Sequence, residues 1–270
     1  MSRIHKNERI GAIIHILTEH PKKMFTLNYF GELFGCAKST LSEDLDAVRN
    51  IFQRFDLGVV ETIAGAAGGV FYIPTVIQKE IQDFSQVLCE KINQKERIIP
   101  GGYIYTNDLL YDPEIAYQIG KMMAMPFHEE TIDYVVTIET KGIPVAFMVA
   151  RVLNKPMIVV RKSSRLTEGT AIHMNYITGS TKRIQTMSLA KRAIGKGSKI
   201  LFIDDFMKAG GTAKGIEDLM KEFESEVIGT GVLMATAEPQ KKLVNNYHTL
   251  LVLEKVDEET GQIDIRPVSL

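Results

Sequence analysis

The sequence predicts an α/β chain in two parts: a helix-turn-helix followed by a β-hairpin, then a larger parallel-sheet domain wound with helices. Three stretches carry this reading. Residues 26–73 run short helix, turn at Gly35-Cys36-Ala37, long helix, then two β-rich segments around a glycine turn. Residues 133–160 run strand, helix, strand, which implies a parallel pair joined by a right-handed crossover. Residues 199–223 run buried strand, Asp204-Asp205, Gly-rich turn, amphipathic helix. Open α/β sheets bind ligands at strand carboxyl ends built this way.

Composition narrows the class. The 270 residues permit two domains, and 45% hydrophobic with 24% charged residues is ordinary for a soluble globular protein. No apolar run reaches the ~18 residues of a membrane span. Met1-Ser2-Arg3-Ile4-His5-Lys6 lacks a signal-peptide core, so a cytoplasmic location is expected, with no membrane partner. Cys36 and Cys89 make no metal spacing and read as buried or reduced thiols. The six histidines form no pair four apart, so no histidine-based metal site is expected. The net charge of −1 conceals a basic run: Arg161 to Lys199 holds nine Lys/Arg and one acid, Glu168. That run suits polyphosphate or nucleic acid.

Residues 1–74 read as a separate small domain. Glu8–Leu17 carries Ile10, Ile13, Ile14 and Leu17 at helical spacing, and His20-Pro21 ends it. Asn28 reads as the N-cap of a helix through Phe34. A third helix, Ser39–Phe55, has a Leu41, Leu45, Val48, Ile51, Phe52, Phe55 stripe, with Ser39 to Ser42 offering caps. As a reading helix it puts Lys38, Ser39, Thr40, Ser42 and Glu43 nearest a DNA groove, where hydroxyls and cations meet phosphates and base edges. Val59–Ile63 and Val70–Ile73 around Ala64-Gly65-Ala66-Ala67-Gly68-Gly69 form a wing, with Gly65, Gly68 and Gly69 as candidate DNA contacts. Eight basic and eight acidic residues in this part are fewer cations than phosphate binding favours, so a bundle that binds nothing is the plain alternative.

Residues 75–270 form the second part. Thr75 and Gln78 have capping-box spacing ahead of a helix with Ile77, Ile81, Phe84, Leu88 and Ile92 on one face. Asp112-Pro113 opens another helix, to about Met125. Between them Pro100-Gly101-Gly102-Tyr103 is a loop whose Tyr103 either closes a site from outside or joins the core. Asp133–Ile138, Pro156–Val160, Ile200–Asp204 and Val227–Thr236 read as strands of one sheet, and Ile143–Leu153 as a helix. Ala171–Ile177 and Ile184–Met187 read as a hairpin in the place of a lid; Leu250–Leu253 and the tail read as edge elements.

The acids of the third stretch accept from sugar hydroxyls or help hold Mg²⁺, and the amides of Ala209, Gly210, Gly211 and Thr212 cradle an anion, so the pattern suits a sugar phosphate. The thirteen residues Ile200 to Thr212 resemble the phosphoribosyl-pyrophosphate (PRPP) signature of type I phosphoribosyltransferases. No Gly-Lys-Ser/Thr closes the turn, so it is not a Walker A loop. The resemblance implies a phosphoribosyltransferase-like sheet domain with Asp204 and Asp205 on the ribose and Mg²⁺ side. It implies the 5′-phosphate on the loop that carries Phe206, Lys208 and Ala209 to Thr212. Glu139-Thr140-Lys141-Gly142 resembles the pyrophosphate loop of that family. Arg161-Lys162 resembles the Arg-Lys pair that meets pyrophosphate in adenine-phosphoribosyltransferase-like members.

Taken with the winged helix-turn-helix and the stretch Thr167–Ser180, which matches no catalytic motif and no purine hood, the whole chain resembles the purine operon regulator (PurR) family of Gram-positive bacteria. Membership implies a homodimeric transcription regulator that reads purine-box operator DNA and binds PRPP with Mg²⁺ as effector, without catalysis. It also implies competition from guanine nucleotides such as (p)ppGpp, and either repression or activation. The rival readings are an active purine phosphoribosyltransferase with an accessory N-terminal domain and a nucleotide-binding scaffold without DNA function.

Overall fold

A computed structural model describes residues 4–65, 68–163, 169–177 and 184–268. Ala66 and Ala67 of the glycine turn, and 164–168 and 178–183, which take in Glu168, part of Thr167–Ser180 and three cations of the basic run, lie outside them. The chain divides into two compact units, Met1–Val76 with Arg151–Asn154, and Ile77–Ala150 with Lys155–Leu270.

In the first unit α1 (Lys6–Glu19), α2 (Leu27–Phe34) and α3 (Lys38–Arg54) are followed by β1 (Val59–Ile63) and β2 (Gly69–Ile73). Gly35 ends α2 with φ +63°, the left-handed conformation that turns the chain sharply into α3. The expected apolar stripe is the core: Leu41, Leu45, Val48 and Phe52 of α3 pack with Ile13, Leu17, Phe30, Val60 and Val70. The strands pair antiparallel, and Phe25 bridges to Val70 beside them. Caps differ from expectation. Thr26, not Asn28, caps α2, its hydroxyl accepting from the Tyr29 amide at 3.2 Å. The hydroxyls of Ser39 to Ser42 do not cap α3, because Ala37 holds that position. Phe55, expected on the α3 stripe, lies just past the helix and is exposed.

The second unit is a six-stranded sheet in the order β12-β11-β10-β9-β5-β6, parallel except for β12. In chain order come α4 (Gln78–Ile92), β3 (Ile98–Ile99), β4 (Tyr103–Ile104), α5 (Asn107–Leu110), α6 (Pro113–Ala124), β5 (Tyr134–Ile138), α7 (Ile143–Leu153) and β6 (Met157–Val160). They are followed by β7 (Ala171–Ile177), β8 (Ile184–Ala190), β9 (Lys199–Met207), α8 (Gly211–Glu222), β10 (Glu226–Thr236), β11 (Tyr247–Asp257) and β12 (Gln262–Pro267). Asp112 caps α6 as expected, accepting from the Glu114 and Ile115 amides at 3.0 and 2.9 Å. Thr75 and Gln78 form no capping box: α4 begins at Gln78, with Ile77 as its N-cap. The strand read at Leu250–Leu253 is the longer β11, an interior strand, and β12 forms the edge. Buried Ile200, Phe202, Ile216, Leu219 and Met220 weld β9 to α8.

This topology positions a site. From β5 the chain crosses to β6 on one side and returns to β9 on the other, so the sheet changes winding direction between β5 and β9. A crevice opens at such a point, beyond the carboxyl ends of the strands.

Candidate functional site

Register brings the expected pieces together. Val136 lies beside Phe202, and Ile138 beside Val160. Asp204 therefore stands level with the ends of β5 and β6, where the 139–142 loop and Arg161-Lys162 begin. Gly142 packs directly on the acid: a Cβ there would come within 2.7 Å of both Asp204 Oδ1 and Thr137 Oγ1. Only glycine lets this loop approach so closely. Glu139 ties the other two pieces, accepting from the Lys162 amide at 2.5 Å and pairing with Arg161 at 3.5 Å.

The strand does not stop at the acids, as read from the sequence, but carries them inside β9, with Asp204 only 8% exposed. Burial pushes the Asp204 carboxyl well above its usual range, and the neighbouring Asp205 charge pushes it further, with Lys162 opposing. Burial also raises Asp205, against its hydrogen bond with Asp204 and the charges of Lys141 and Lys162. Two like charges out of water are unfavourable unless a cation or hydroxyl donors meet them. Among the described residues no group of three or more His, Cys, Asp or Glu could hold a metal. Two carboxylates do fit Mg²⁺ that arrives on a diphosphate, since Mg²⁺ keeps water and phosphate oxygens as its other ligands.

Beyond the acids Phe206 and Lys208 are exposed and Ala209 half-buried. Gly210 takes φ +82° as the N-cap of α8. The amides of Gly211 and Thr212 have no backbone acceptor among the described residues. Unpaired amides at a helix start have the chemistry that suits an anion. The Tyr176 hydroxyl donates to Gln185 at 2.8 Å, and a Cβ on Gly215 would lie 2.9 Å from the Tyr176 side chain, so the β7–β8 hairpin packs on α8. Tyr103 is 59% exposed, which removes the core reading. Its Gly101 amide donates to Glu258, past the end of β11, and no described contact brings it to the acid pair. Tyr176, buried Thr137 and buried Lys242 were not read from the sequence as site residues. Lys242 lies in a polar stretch, Gln240-Lys241-Lys242, that gives no signal of burial.

In the first unit Lys38, Ser39, Ser42 and Glu43 are exposed on one end of α3, and Thr40 is half-buried. Ser42 donates to the Lys38 carbonyl at 3.1 Å. In the wing Gly65 is exposed, with φ +119°. The other two glycines serve packing. A Cβ on Gly68 would overlap the Ile63 carbonyl, and one on Gly69 would lie 2.4 Å from the Phe25 oxygen. Gly69 is buried, so it is corrected from a DNA contact to a backbone-packing position.

Fold and site define a class: a helix-turn-helix unit joined to a unit of phosphoribosyltransferase fold. Residues 5–74 match the family described as the N-terminal domain of the bacterial purine repressor, and 106–264 match the phosphoribosyl transferase domain. The chain belongs to the PurR family of purine biosynthesis transcriptional regulators. It is 42% identical over 264 residues to the purine biosynthesis transcriptional repressor PurR of Bacillus subtilis, covering 98% of this chain and 93% of that protein. It is 36% identical over 261 residues to the transcriptional activator PurR of Lactococcus lactis, covering 97% and 96%. The crystal structure of adenine phosphoribosyltransferase from Thermoanaerobacter pseudethanolicus superposes with a TM-score of 0.54 at 17% identity, over 62% of this chain and 98% of that one. That likeness concerns the fold alone.

Proposed function

We propose that the second unit binds PRPP with Mg²⁺ as an effector without turning it over, and that this binding governs how a homodimer holds purine-box operator DNA. The observation that supports the reading is the pair of buried Asp204 and half-buried Asp205 beside the open amides of Gly211 and Thr212. The acids accept from the ribose hydroxyls and face Mg²⁺ carried on the diphosphate. The 207–212 loop takes the 5′-phosphate. Glu139 to Gly142, with Arg161 and Lys162, takes the pyrophosphate. A guanine nucleotide such as (p)ppGpp carries the same diphosphate chemistry and competes.

The test is PRPP titration by calorimetry with Mg²⁺, a purine-plus-PRPP turnover assay and a gel shift on a purine-box duplex. Saturable PRPP binding without nucleotide production is expected. Operator DNA changes PRPP affinity by the same factor that PRPP changes operator affinity, because coupling is reciprocal. Steady nucleotide production without DNA binding replaces this reading with a phosphoribosyltransferase carrying an accessory N-terminal domain.

A further inference from the structure

Lys242 is 7% exposed. Its ammonium donates to the carbonyls of Lys208 and Thr236 at 2.6 Å each, and to the Thr236 hydroxyl at 3.3 Å. Those three acceptors match its three donors, the condition under which a lysine tolerates burial. The Thr236 hydroxyl reaches the Lys208 carbonyl, at 3.2 Å, and the Glu238 carbonyl, at 2.6 Å. The adjoining residue braces the next peptide: Leu243 donates its amide to the Ala209 carbonyl at 2.9 Å. The Gly210 carbonyl is taken by the Lys214 amide, also at 2.9 Å.

Three successive carbonyls of the loop between β9 and α8 are thus held by donors from the protein. An anion cradle needs this arrangement, since a carbonyl dipole turned into it would repel phosphate, while the Gly211 and Thr212 amides stay open. We propose that Lys242 is a positioning residue for the anion-binding loop: by holding the Lys208 carbonyl from behind, it fixes the loop with its amides toward the sugar 5′-phosphate. The role rests on the effector reading above, deepening it by one residue that does not touch the ligand. Lysine at this place is a structural cation, separate from Lys141 and Lys162, which face the acids.

The experiment is calorimetry on the full chain with three probes: PRPP with Mg²⁺, ribose 5-phosphate and inorganic pyrophosphate. Lys242→Met is expected to weaken PRPP and ribose 5-phosphate by about tenfold or more, the range of a lost charged hydrogen bond. Pyrophosphate, which meets the 139–142 loop, changes less than about twofold by the same scale. Lys242→Arg restores most of the affinity. Thr236→Val, nearly isosteric, gives the same selective loss at about threefold, and decides the matter should Lys242→Met not fold. Wild-type ribose 5-phosphate affinity in Lys242→Met or, in that case, in Thr236→Val overturns the role of Lys242. An equal loss of all three probes with a lowered Tm also overturns it, because it reports general destabilisation. Wild-type protein that binds none of the three overturns the effector reading and this one with it.

Discussion

The two units bury charge in opposite ways. In the first, Asp44 is fully buried and meets Arg9 through two hydrogen bonds, of 2.6 and 3.2 Å. In the second, Asp204 is buried beside another acid, and its side chain accepts from the Asp205 amide at 2.9 Å. An opposite-charge pair with a bidentate guanidinium is complete within the chain. A like-charge pair is not: the charges of Lys141 and Lys162 offset it only in part, and the rest comes from outside as a cation, hydroxyl donors or protons. The first arrangement therefore serves folding, and the second, on the effector reading proposed above, serves a ligand at some cost to folding.

Removing one partner tests each side, and the largest effect belongs to the first. Asp44→Ala leaves Arg9 without its carboxylate, and breaking a buried pair this way costs about 3–5 kcal/mol. Chemical denaturation should show early loss of the first unit and of operator binding, with PRPP affinity retained. A loss under about 1 kcal/mol would place the pair with surface ion pairs, which contribute that little.

Next in size is the ligand side. Asp204→Ala or Asp205→Ala should lower PRPP affinity by about a hundredfold or more, near 2.7 kcal/mol on the affinity scale. DNA binding should stay intact, because the helix-turn-helix lies in the other unit. Unchanged PRPP affinity by calorimetry would remove the acids from the effector site.

A smaller effect has the reverse sign. Both acids have folded-state pKa values raised by burial, so their contribution to stability is present below the unfolded carboxylate value and is lost as pH rises through the folded one. Where the pH exceeds those raised values, the ligand-free protein carries an unfavourable ionised pair. Asp204→Asn should raise its Tm by about 2–4 °C per kcal/mol relieved, at about pH 8, with the gain shrinking as pH falls toward about 4. Thermal scans that show no gain at high pH would mean the pair is already compensated inside the chain.

The contrast also explains how much was legible in the sequence. The acids, the glycine turn and the helix behind them are contiguous, so Asp204 to Thr212 could be read directly. The apolar stripe of α3 was equally plain, because its period is local. Arg9 and Asp44 lie 35 positions apart, and Lys242 reaches Lys208 across 34, so neither partnership leaves a local pattern. The caps failed for a related reason. Thr26 and Asn28 are both good cap residues, and only the path of the chain into α2 selects Thr26. The wing glycines looked like exposed turn residues, yet Gly69 is required by Phe25, some forty positions away in sequence, through a backbone approach that composition does not encode.

The smallest predicted effect concerns charge that is neither buried nor paired. Lys38 begins α3 and is exposed, and Ala37 before it supplies no capping side chain, so the helix start is open to an anion. A phosphate there meets both the lysine and the first helical amides. The rest of the face is not basic: Glu43 and Asp46 are exposed on the same helix, and Arg49 is engaged with Asp46 at 2.5 Å and with Thr62. With so few free cations, one lysine is a measurable share of the electrostatic attraction. Lys38→Ala should weaken operator binding a few-fold and lower the slope of log K against log salt by about one counterion, 0.9 on the duplex scale, with PRPP affinity unchanged. Ser42→Ala should do less, because that hydroxyl already donates to the Lys38 carbonyl and must turn away from it to reach DNA. Salt titrations of wild type and both variants on one duplex decide this, and a wild-type slope in Lys38→Ala would move the helix start out of the interface.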